Sequence, residues 1–261
     1  SVLEQIAAEG SVLLKNEEVN GKPVLPLESE NKETKITLFG VASSSPYYGG
    51  NTASYVDPKA DTVSLIGALS EYYTINPEMT KFYSGKKGAT KPSMTSYNTG
   101  EIALTAAPKD SYATYNDAAI CVIGRANAEE ADYSPNTNVV DASGSSGKKG
   151  LALSANEEAM IEEAIANFDK VIILLNTPIP VQIDKYADHP GVGAILWIGY
   201  PGGTGFNGVA RVIHGDVSPS GSLPDTFAVD ASKSAAAQNF GAYKFTNYTT
   251  MLGTEFQKYG D

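Results

Sequence analysis

Four short apolar runs, none with alternating polar residues, stand out along the chain. They are KITLFG (35–40), AAICVIG (118–124), KVIILLN (170–176) and GAILWIG (193–199). Strands that are buried on both faces of a parallel sheet carry continuous apolar residues, so each run predicts such a strand. The single cysteine, Cys121, lies in the second run and is predicted to be buried and inert.

Helical patterns lie beside these runs. Ser154 and Glu157 have the spacing of a capping box, in which each side chain accepts a hydrogen bond from the backbone N–H of the other. The apolar face that follows comprises Met160, Ile161, Ala164, Ile165 and Phe168. Segments 61–73 and 204–213 predict two further helices. This alternation predicts an α/β fold with flavodoxin-like layering, an open, mostly parallel sheet with helices on both faces.

Two long polar segments, residues 42–58 and 125–150, interrupt this alternation. Both are rich in Gly, Ser and Asn, and each follows closely after an apolar run. Loops longer than ~12–15 residues are uncommon in compact domains and are usually functional or disordered. Because ligands bind beyond the carboxyl ends of the strands in open α/β sheets, we expect the function to reside in these two segments.

Composition narrows the classes of function. With 30 acidic and 19 basic residues, the formal net charge of −11 argues against nucleic-acid binding, which needs clustered Lys and Arg. No run of ~18 apolar residues predicts a membrane span. Since no signal peptide is visible, a soluble cytoplasmic protein is favoured over a secreted one, although the compartment is left open. One cysteine and two histidines leave little for a metal site, and no cofactor is expected.

The acidic cluster Glu129, Glu130 and Asp132 follows the second apolar run. Carboxyl groups at such a place could act as general acid or base, because a carboxyl pKa that burial has raised suits proton transfer near neutral pH. The alternative is an acidic loop that is simply solvated. Three tyrosines of segment 42–58, Tyr47, Tyr48 and Tyr55, suit stacking on sugar rings or, equally, anchoring of a long loop.

A glycine pattern, Gly203-x-Gly205-x-x-Gly208, matches a dinucleotide-binding fingerprint formally. Pro201 and Gly202 separate it from the preceding strand, and no βαβ unit follows it. We therefore favour a glycine turn that lets the following helix pack close to the sheet, and keep a dinucleotide-dependent oxidoreductase as a distant alternative. The nearby segment SLPDTF (222–227) is predicted to be a strand.

Four parts of the sequence resemble, in order, the glycoside hydrolase family 3 enzymes, the β-glucosidase and β-xylosidase group. They are AAEGSVLLKNEE (7–18) with VLPL (24–27), LFG (38–40) with YGGNTASYV (48–56), VIGRANAEEADY (122–133) with LALSANEEAMIEEA (151–164), and WIGYPGGTGFNGVARVIHGDVSPSGSLPDTF (197–227). The resemblance implies that residues 1–227 are the α/β sandwich domain of such an enzyme. Residues 228–261 would be a C-terminal extension or a linker toward a missing domain.

The resemblance also implies a chemistry: retaining hydrolysis of terminal, non-reducing β-linked sugars. In this family a (β/α)8-type barrel supplies an Asp nucleophile and the sandwich domain supplies the general acid/base Glu. The family pattern Gly-Arg-x-x-Gly-Glu-Gly-x-Asp, laid on the sequence from Gly124 onward, makes Glu129 the acid/base candidate. Because Ala128 and Glu130 replace the usual glycines, a one-residue slip to Glu130 is the alternative.

Further contacts to a β-glucoside or related oligosaccharide are expected from Asn51, Thr52, Ser54 and Arg125. In the family, segment 49–54 usually reads Gly-Gly-Thr-Gly-Ser-Gly, whereas here it reads Gly-Gly-Asn-Thr-Ala-Ser. The hydroxyl that the family offers to substrate would therefore come from Thr52 or Ser54. The barrel's Ser-Asp-Trp motif is absent from the sequence, so we expect the chain alone to be inactive and to need its barrel as partner. The rival hypothesis is a non-catalytic carbohydrate-binding or interdomain scaffold module of the same fold. Oligomerisation is left open.

Overall fold

The structure, a computed structural model, describes residues 1–50, 56–57, 61–93, 95–129, 131–239, 245–249 and 255–259. Strands and helices are numbered in chain order. The central sheet consists of β1 (Val12–Asn16), β4 (Lys35–Phe39), β5 (Thr74–Ile75), β7 (Ala118–Gly124), β10 (Val171–Asn176) and β11 (Ala194–Trp197). Its order is β1-β11-β10-β7-β4-β5, and every neighbouring pair is parallel except β1 and β11. The four predicted strands and the mostly parallel α/β sheet are confirmed.

Helices cover both faces of this sheet, as predicted. They are α1 (Val2–Gly10), α2 (Val41–Ser44), α3 (Leu65–Leu69), α4 (Pro77–Tyr83), α5 (Ala155–Asn167), α6 (Asp184–Ala187) and α7 (Phe206–His214). A further short helix, α8 (Ala235–Asn239), follows them in the chain. One core cluster joins the sheet to α1, α3 and α7, and the other joins it to α4, α5 and α6. Strand β7 is buried throughout and contributes alternate side chains to the two clusters, including Ile120 to the first and Cys121 to the second. This burial on both sides explains why the run lacks polar residues.

Two of the predicted helices differ in how well their bounds agree with the structure. The capping box at Ser154 and Glu157 is present, and it begins α5 where the sequence predicts. Helix α3 is much shorter than the predicted segment 61–73. The Ser64 side chain caps its start, and the backbone N–H of Val63 is already bonded to Gly203 O at 2.9 Å. Residues 61–63 are therefore held outside the helix.

Segment 125–150, predicted as one long loop, contains a hairpin. Strands β8 (Asn138–Asp141) and β9 (Gly144–Lys149) pair with β6 (Ser96–Asn98) in a second, three-stranded sheet. The sequence does not reveal β9, because its Gly, Ser and Lys residues only alternate between half-buried and exposed positions. Two small antiparallel pairs complete the described strands, namely β2 (Glu18–Val19) with β3 (Lys22–Pro23), and β12 (Phe245–Thr249) with β13 (Glu255–Tyr259).

The glycine pattern before α7 serves close packing. A Cβ at Gly205 would lie 1.8 Å from Pro201 O, and a Cβ at Gly208 would lie 2.1 Å from Glu4 O. Gly208 thus lets α7 approach α1, and not the sheet as the sequence suggested. The prediction of a strand at 222–227 is wrong, because this segment is irregular and largely exposed, and Pro224 has no N–H to donate to a ladder. Among the described residues, no helix is long and apolar enough to cross a membrane.

Candidate active site

The carboxyl edge of the central sheet is held together by one buried amide. Asn176, the last residue of β10, is fully buried. Its Oδ1 accepts a hydrogen bond from Tyr47 N at 2.7 Å, and its Nδ2 donates to Tyr47 O at 2.9 Å and to Gly199 O at 2.8 Å. The Asn176 side chain therefore joins the segments that follow β4, β10 and β11, and it holds the main chain of Tyr47 and Gly199 in place beside the candidate site.

The segment after β7 begins with a buried ion pair. Arg125 is 1% exposed, and its guanidinium donates from both terminal nitrogens to the Glu157 carboxylate, with the Nη2–Oε2 distance at 2.9 Å. Burial opposes the charge, but the Glu157 carboxylate outweighs it and holds the pKa of Arg125 above its ordinary value. Because Nη1 also donates to Gly124 O at 2.9 Å, the pair fixes the exit from β7. A contact of Arg125 with substrate stays a prediction.

Two tyrosine hydroxyls hold the residues that follow. The Tyr200 hydroxyl donates to Arg125 O at 2.8 Å and accepts from Asn127 N at 2.9 Å. The Tyr133 hydroxyl donates to Ala126 O. Side chains from the rest of the domain thus satisfy successive polar groups of the main chain, which is how a non-helical, partly buried segment acquires one defined path.

Glu129 lies at the end of this path. Ala131 N donates to Ala128 O at 3.2 Å and closes a turn that contains Glu129. The Glu129 side chain is exposed at the carboxyl edge of the sheet, and so is the side chain of Asp132. The alternative candidate Glu130 and the predicted substrate contacts Asn51, Thr52 and Ser54 lie outside the described residues.

A cavity of about 730 Å³ lies next to this edge, between β9 and residues 225–237. Tyr133 forms part of its wall together with Lys149, Val181 and Gln182. Glu129 does not line it. The candidate acid therefore projects from a surface and not into a space that the described residues enclose.

The tyrosines of segment 42–58 act as anchors where the structure describes them. Both Tyr47 and Tyr48 are half-buried. The Tyr47 hydroxyl donates to Ala89 O at 2.9 Å, and its ring stacks on Tyr200 with a centroid distance of 6.3 Å. The Tyr48 ring meets Phe206 edge-on at 5.3 Å. Tyr55 lies outside the described residues.

A buried carboxyl group near the same edge was not found from the sequence. Glu101 is 3% exposed and accepts hydrogen bonds from Val41 N at 3.0 Å and Ile102 N at 3.2 Å. Burial outweighs these two bonds and raises the pKa of Glu101 to about 8, from an ordinary value of 4.5. No residue type or spacing in the sequence indicates that the Glu101 carboxyl group is buried.

Glu101 makes stability depend on pH. Because the folded state binds this proton more tightly than the unfolded chain does, the stabilisation is complete below about pH 4.5 and is lost as pH rises through about 8. Between pH 5 and pH 8 we expect the unfolding free energy to fall less steeply with pH in Glu101→Gln than in the unmodified chain. One titrating group contributes at most about 1.4 kcal/mol per pH unit to this slope. Urea titrations of both proteins across this range measure it. Parallel pH dependences for the two proteins would contradict the expectation.

Comparison with known proteins places the chain in a family. Residues 11–258 match the family model described as the glycosyl hydrolase family 3 C-terminal domain. The chain belongs to this family. The family 3 domain is 31% identical over 246 residues to a β-glucosidase of Ruminococcus albus, a match that covers 90% of the chain and 24% of that protein. It is 26% identical over 230 residues to β-glucosidase 1 of Aspergillus aculeatus, covering 87% of the chain and again 24% of the relative.

Solved structures agree with the assignment of this family 3 domain. β-Glucosidase 3B from Thermotoga neapolitana, solved in complex with α-D-glucose, matches with a TM-score of 0.70 and 28% identity over 91% of the chain and 32% of its own. A β-glucosidase from Paenibacillus barengoltzii matches with a TM-score of 0.74 and 25% identity over 95% and 26%. The family 3 domain therefore spans about a quarter of the length of the curated relatives that it matches.

The sequence located the segment of the family 3 domain that carries the candidate site but not its supports. Glu157 was found as a capping residue, while its pairing with Arg125 across 32 positions was not. Tyr200 lies within the Tyr-Pro-Gly stretch that carries the resemblance, yet its hydroxyl contacts could not be inferred. The terminal Asn of KVIILLN was the only available sign of Asn176, since a polar residue that ends a buried strand has to find partners.

Proposed function

We propose that this chain is the sandwich domain of a retaining β-glycosidase, a β-glucosidase in the first instance, and that Glu129 is its general acid/base. The observation that carries the proposal is the setting of Glu129. It is exposed at the carboxyl edge, and the main chain before it is held by the Arg125–Glu157 pair and by Tyr200. The relatives named above are β-glucosidases, which supports the choice of substrate.

Retaining hydrolysis needs two carboxyl groups ~5–5.5 Å apart on opposite sides of the anomeric carbon. In the first step, Glu129 would give its proton to the glycosidic oxygen while a nucleophilic carboxylate forms a bond to the anomeric carbon. In the second step, the Glu129 carboxylate would take a proton from water, whose oxygen displaces the nucleophile. The product then keeps the β configuration.

The nucleophile belongs, in this proposal, to an Asp of a barrel domain outside this chain. Its support is that the relatives are about four times longer than the part that matches. A Glu129 that projects from a surface suits a site completed by a second domain, and the chain alone would hydrolyse nothing. The sugar accepted would be a terminal, non-reducing β-linked one.

A second candidate function is a non-catalytic carbohydrate-binding or scaffold module of the same fold. Two observations favour it: Glu129 is turned to solvent, and part of segment 125–150 is folded into a hairpin. The catalytic hypothesis also has its internal alternative, because Glu130 is the candidate if the alignment slips by one residue.

Azide distinguishes these hypotheses in the complete enzyme. With Glu129→Ala and an activated aryl β-glucoside, the first step needs no acid, but the glycosyl-enzyme has no base to activate water. Azide needs no base, so it attacks the anomeric carbon, and its C–N bond forms as the bond to the nucleophile breaks. We expect azide to raise turnover at least 10-fold and to yield a β-glycosyl azide, identified by NMR of the product.

Glu130→Ala is the matched control, since it removes the carboxyl group that is next to Glu129 in the sequence. It should retain most activity and form no glycosyl azide. Azide rescue of Glu130→Ala in place of Glu129→Ala would transfer the role to Glu130. Full activity of both variants would support the scaffold module.

A further inference from the structure

We propose that Tyr200 is a positioning residue whose hydroxyl sets the main-chain path that presents Glu129 to the substrate. The inference rests on the proposed function of Glu129. Tyr200 would touch no reacting atom, and its effect would pass entirely through the segment that precedes the acid.

The first ground is the bridge that its hydroxyl makes. The oxygen donates its proton to Arg125 O at 2.8 Å and accepts the N–H of Asn127 at 2.9 Å. These two groups belong to the peptide units on either side of Ala126, so one atom fixes their mutual orientation. Tyr133, by contrast, holds only the carbonyl of Ala126.

The second ground is that Tyr200 is itself fixed. Gly199, which precedes it, has a φ of +55° and is bonded through its carbonyl to the buried amide of Asn176. The Tyr200 ring stacks on Tyr47 with an interplanar angle of 28°, and Asn176 also holds the main chain of Tyr47. The hydroxyl is therefore placed by the sheet edge and not by the loop that it supports.

The third ground is the charge state of the hydroxyl. Burial raises the pKa of Tyr200 to about 12, against the opposing N–H of Asn127, so the group keeps its proton through the working range of a glycosidase and remains able to donate. The next residue of the main chain is held too, because Asn127 Oδ1 accepts a hydrogen bond from Ala128 N at 2.9 Å. Glu129 follows directly.

The test is Tyr200→Phe in the complete enzyme, which removes the hydroxyl and keeps the ring that stacks on Tyr47. A looser path should place the acid wrongly in a fraction of molecules, and such misplacement is costly to proton transfer. We expect kcat/KM on an alkyl β-glucoside, which needs the acid, to fall roughly 10-fold. On an aryl glucoside with a dinitrophenolate leaving group, which does not need it, kcat/KM should change less than twofold.

Tyr73→Phe is the matched control. Its hydroxyl also donates to a main-chain carbonyl, Leu27 O at 2.6 Å, but Tyr73 lies directly before β5, away from the candidate site. This variant should leave the ratio of the two kcat/KM values unchanged. Hydrogen–deuterium exchange gives a second measurement, because the peptide containing Asn127 should exchange faster in Tyr200→Phe than in Tyr73→Phe.

Glu129→Gln is measured beside them so that the two proposals fail separately. If Glu129→Gln discriminates between the leaving groups and Tyr200→Phe does not, the positioning role is wrong and the acid/base role stands. Equal losses on both substrates in Tyr200→Phe, or unchanged exchange at Asn127, would also overturn the positioning role. If Glu129→Gln itself does not discriminate, both proposals fall.

Discussion

Glu129→Gln in the complete enzyme should lower kcat/KM on alkyl β-glucosides by ~10²–10⁴-fold, the range that general acid–base catalysis supplies. The variant keeps the size of the side chain and the turn closed by Ala128 and Ala131, but it has no proton to give to a poor leaving group. The aryloxide of an activated aryl glucoside leaves without that proton, so kcat/KM on this substrate should change little. The kcat on the same substrate should fall nonetheless, because the second step loses its base.

The slope of log kcat/KM against the pKa of the leaving group measures this effect. The slope should be shallow in the unmodified enzyme, steep in Glu129→Gln and shallow again in the control Glu130→Gln. A uniform loss on every leaving group would remove Glu129 from the acid/base role.

Glu157→Gln should lower the unfolding free energy of the 261-residue chain by about 3 kcal/mol. The substitution removes the carboxylate that pairs with Arg125, which is 1% exposed, and an uncompensated buried charge costs about 3–5 kcal/mol. Gln keeps an oxygen for the bond from Ser154 N, so the cap of α5 is largely preserved. Urea denaturation can be followed by the fluorescence of Trp197, the sole tryptophan of the sequence.

Glu162→Gln is the matched control on the same helix. Its ion pair with Lys185 is close to half exposed on both sides, and pairs of this kind contribute about 0–1 kcal/mol. We expect Glu162→Gln to lower the unfolding free energy by less than about 0.5 kcal/mol, because water screens the attraction between the two exposed charges. Similar losses in the two variants would mean that the Arg125–Glu157 pair does not stabilise the fold as its burial requires.

The elements that the sequence predicted well are those in which local pattern and burial agree. Strand β7 is apolar along its length because helices cover both of its sides, so its bounds follow directly from the run. Helix α5 carries a capping box and an apolar face, which are local features. Strand β9 carries neither, since its order comes from pairing with β8, and its residue pattern alone predicts a loop.

The same distinction between local pattern and long-range contact holds for the candidate site. Position after a buried strand, together with the family resemblance, was enough to nominate Glu129. Its supports were out of reach, because Tyr200 lies about 75 positions from the carbonyl of Arg125 that it binds, and Asn176 lies 129 positions from Tyr47. Such contacts depend on which strands are neighbours in the sheet, and a single sequence does not state that.

The packing of α1 on α7 bears on how the domain can be joined to others. Ser1 Oγ lies 3.3 Å from Thr204 Oγ1, and Gly221 N donates to Ser11 O at 3.1 Å. The start of α1 is thus fastened to the start of α7, and the residue that follows α1 to the segment behind α7. In the proposed enzyme, a barrel joined ahead of Ser1 would therefore emerge beside the start of α7.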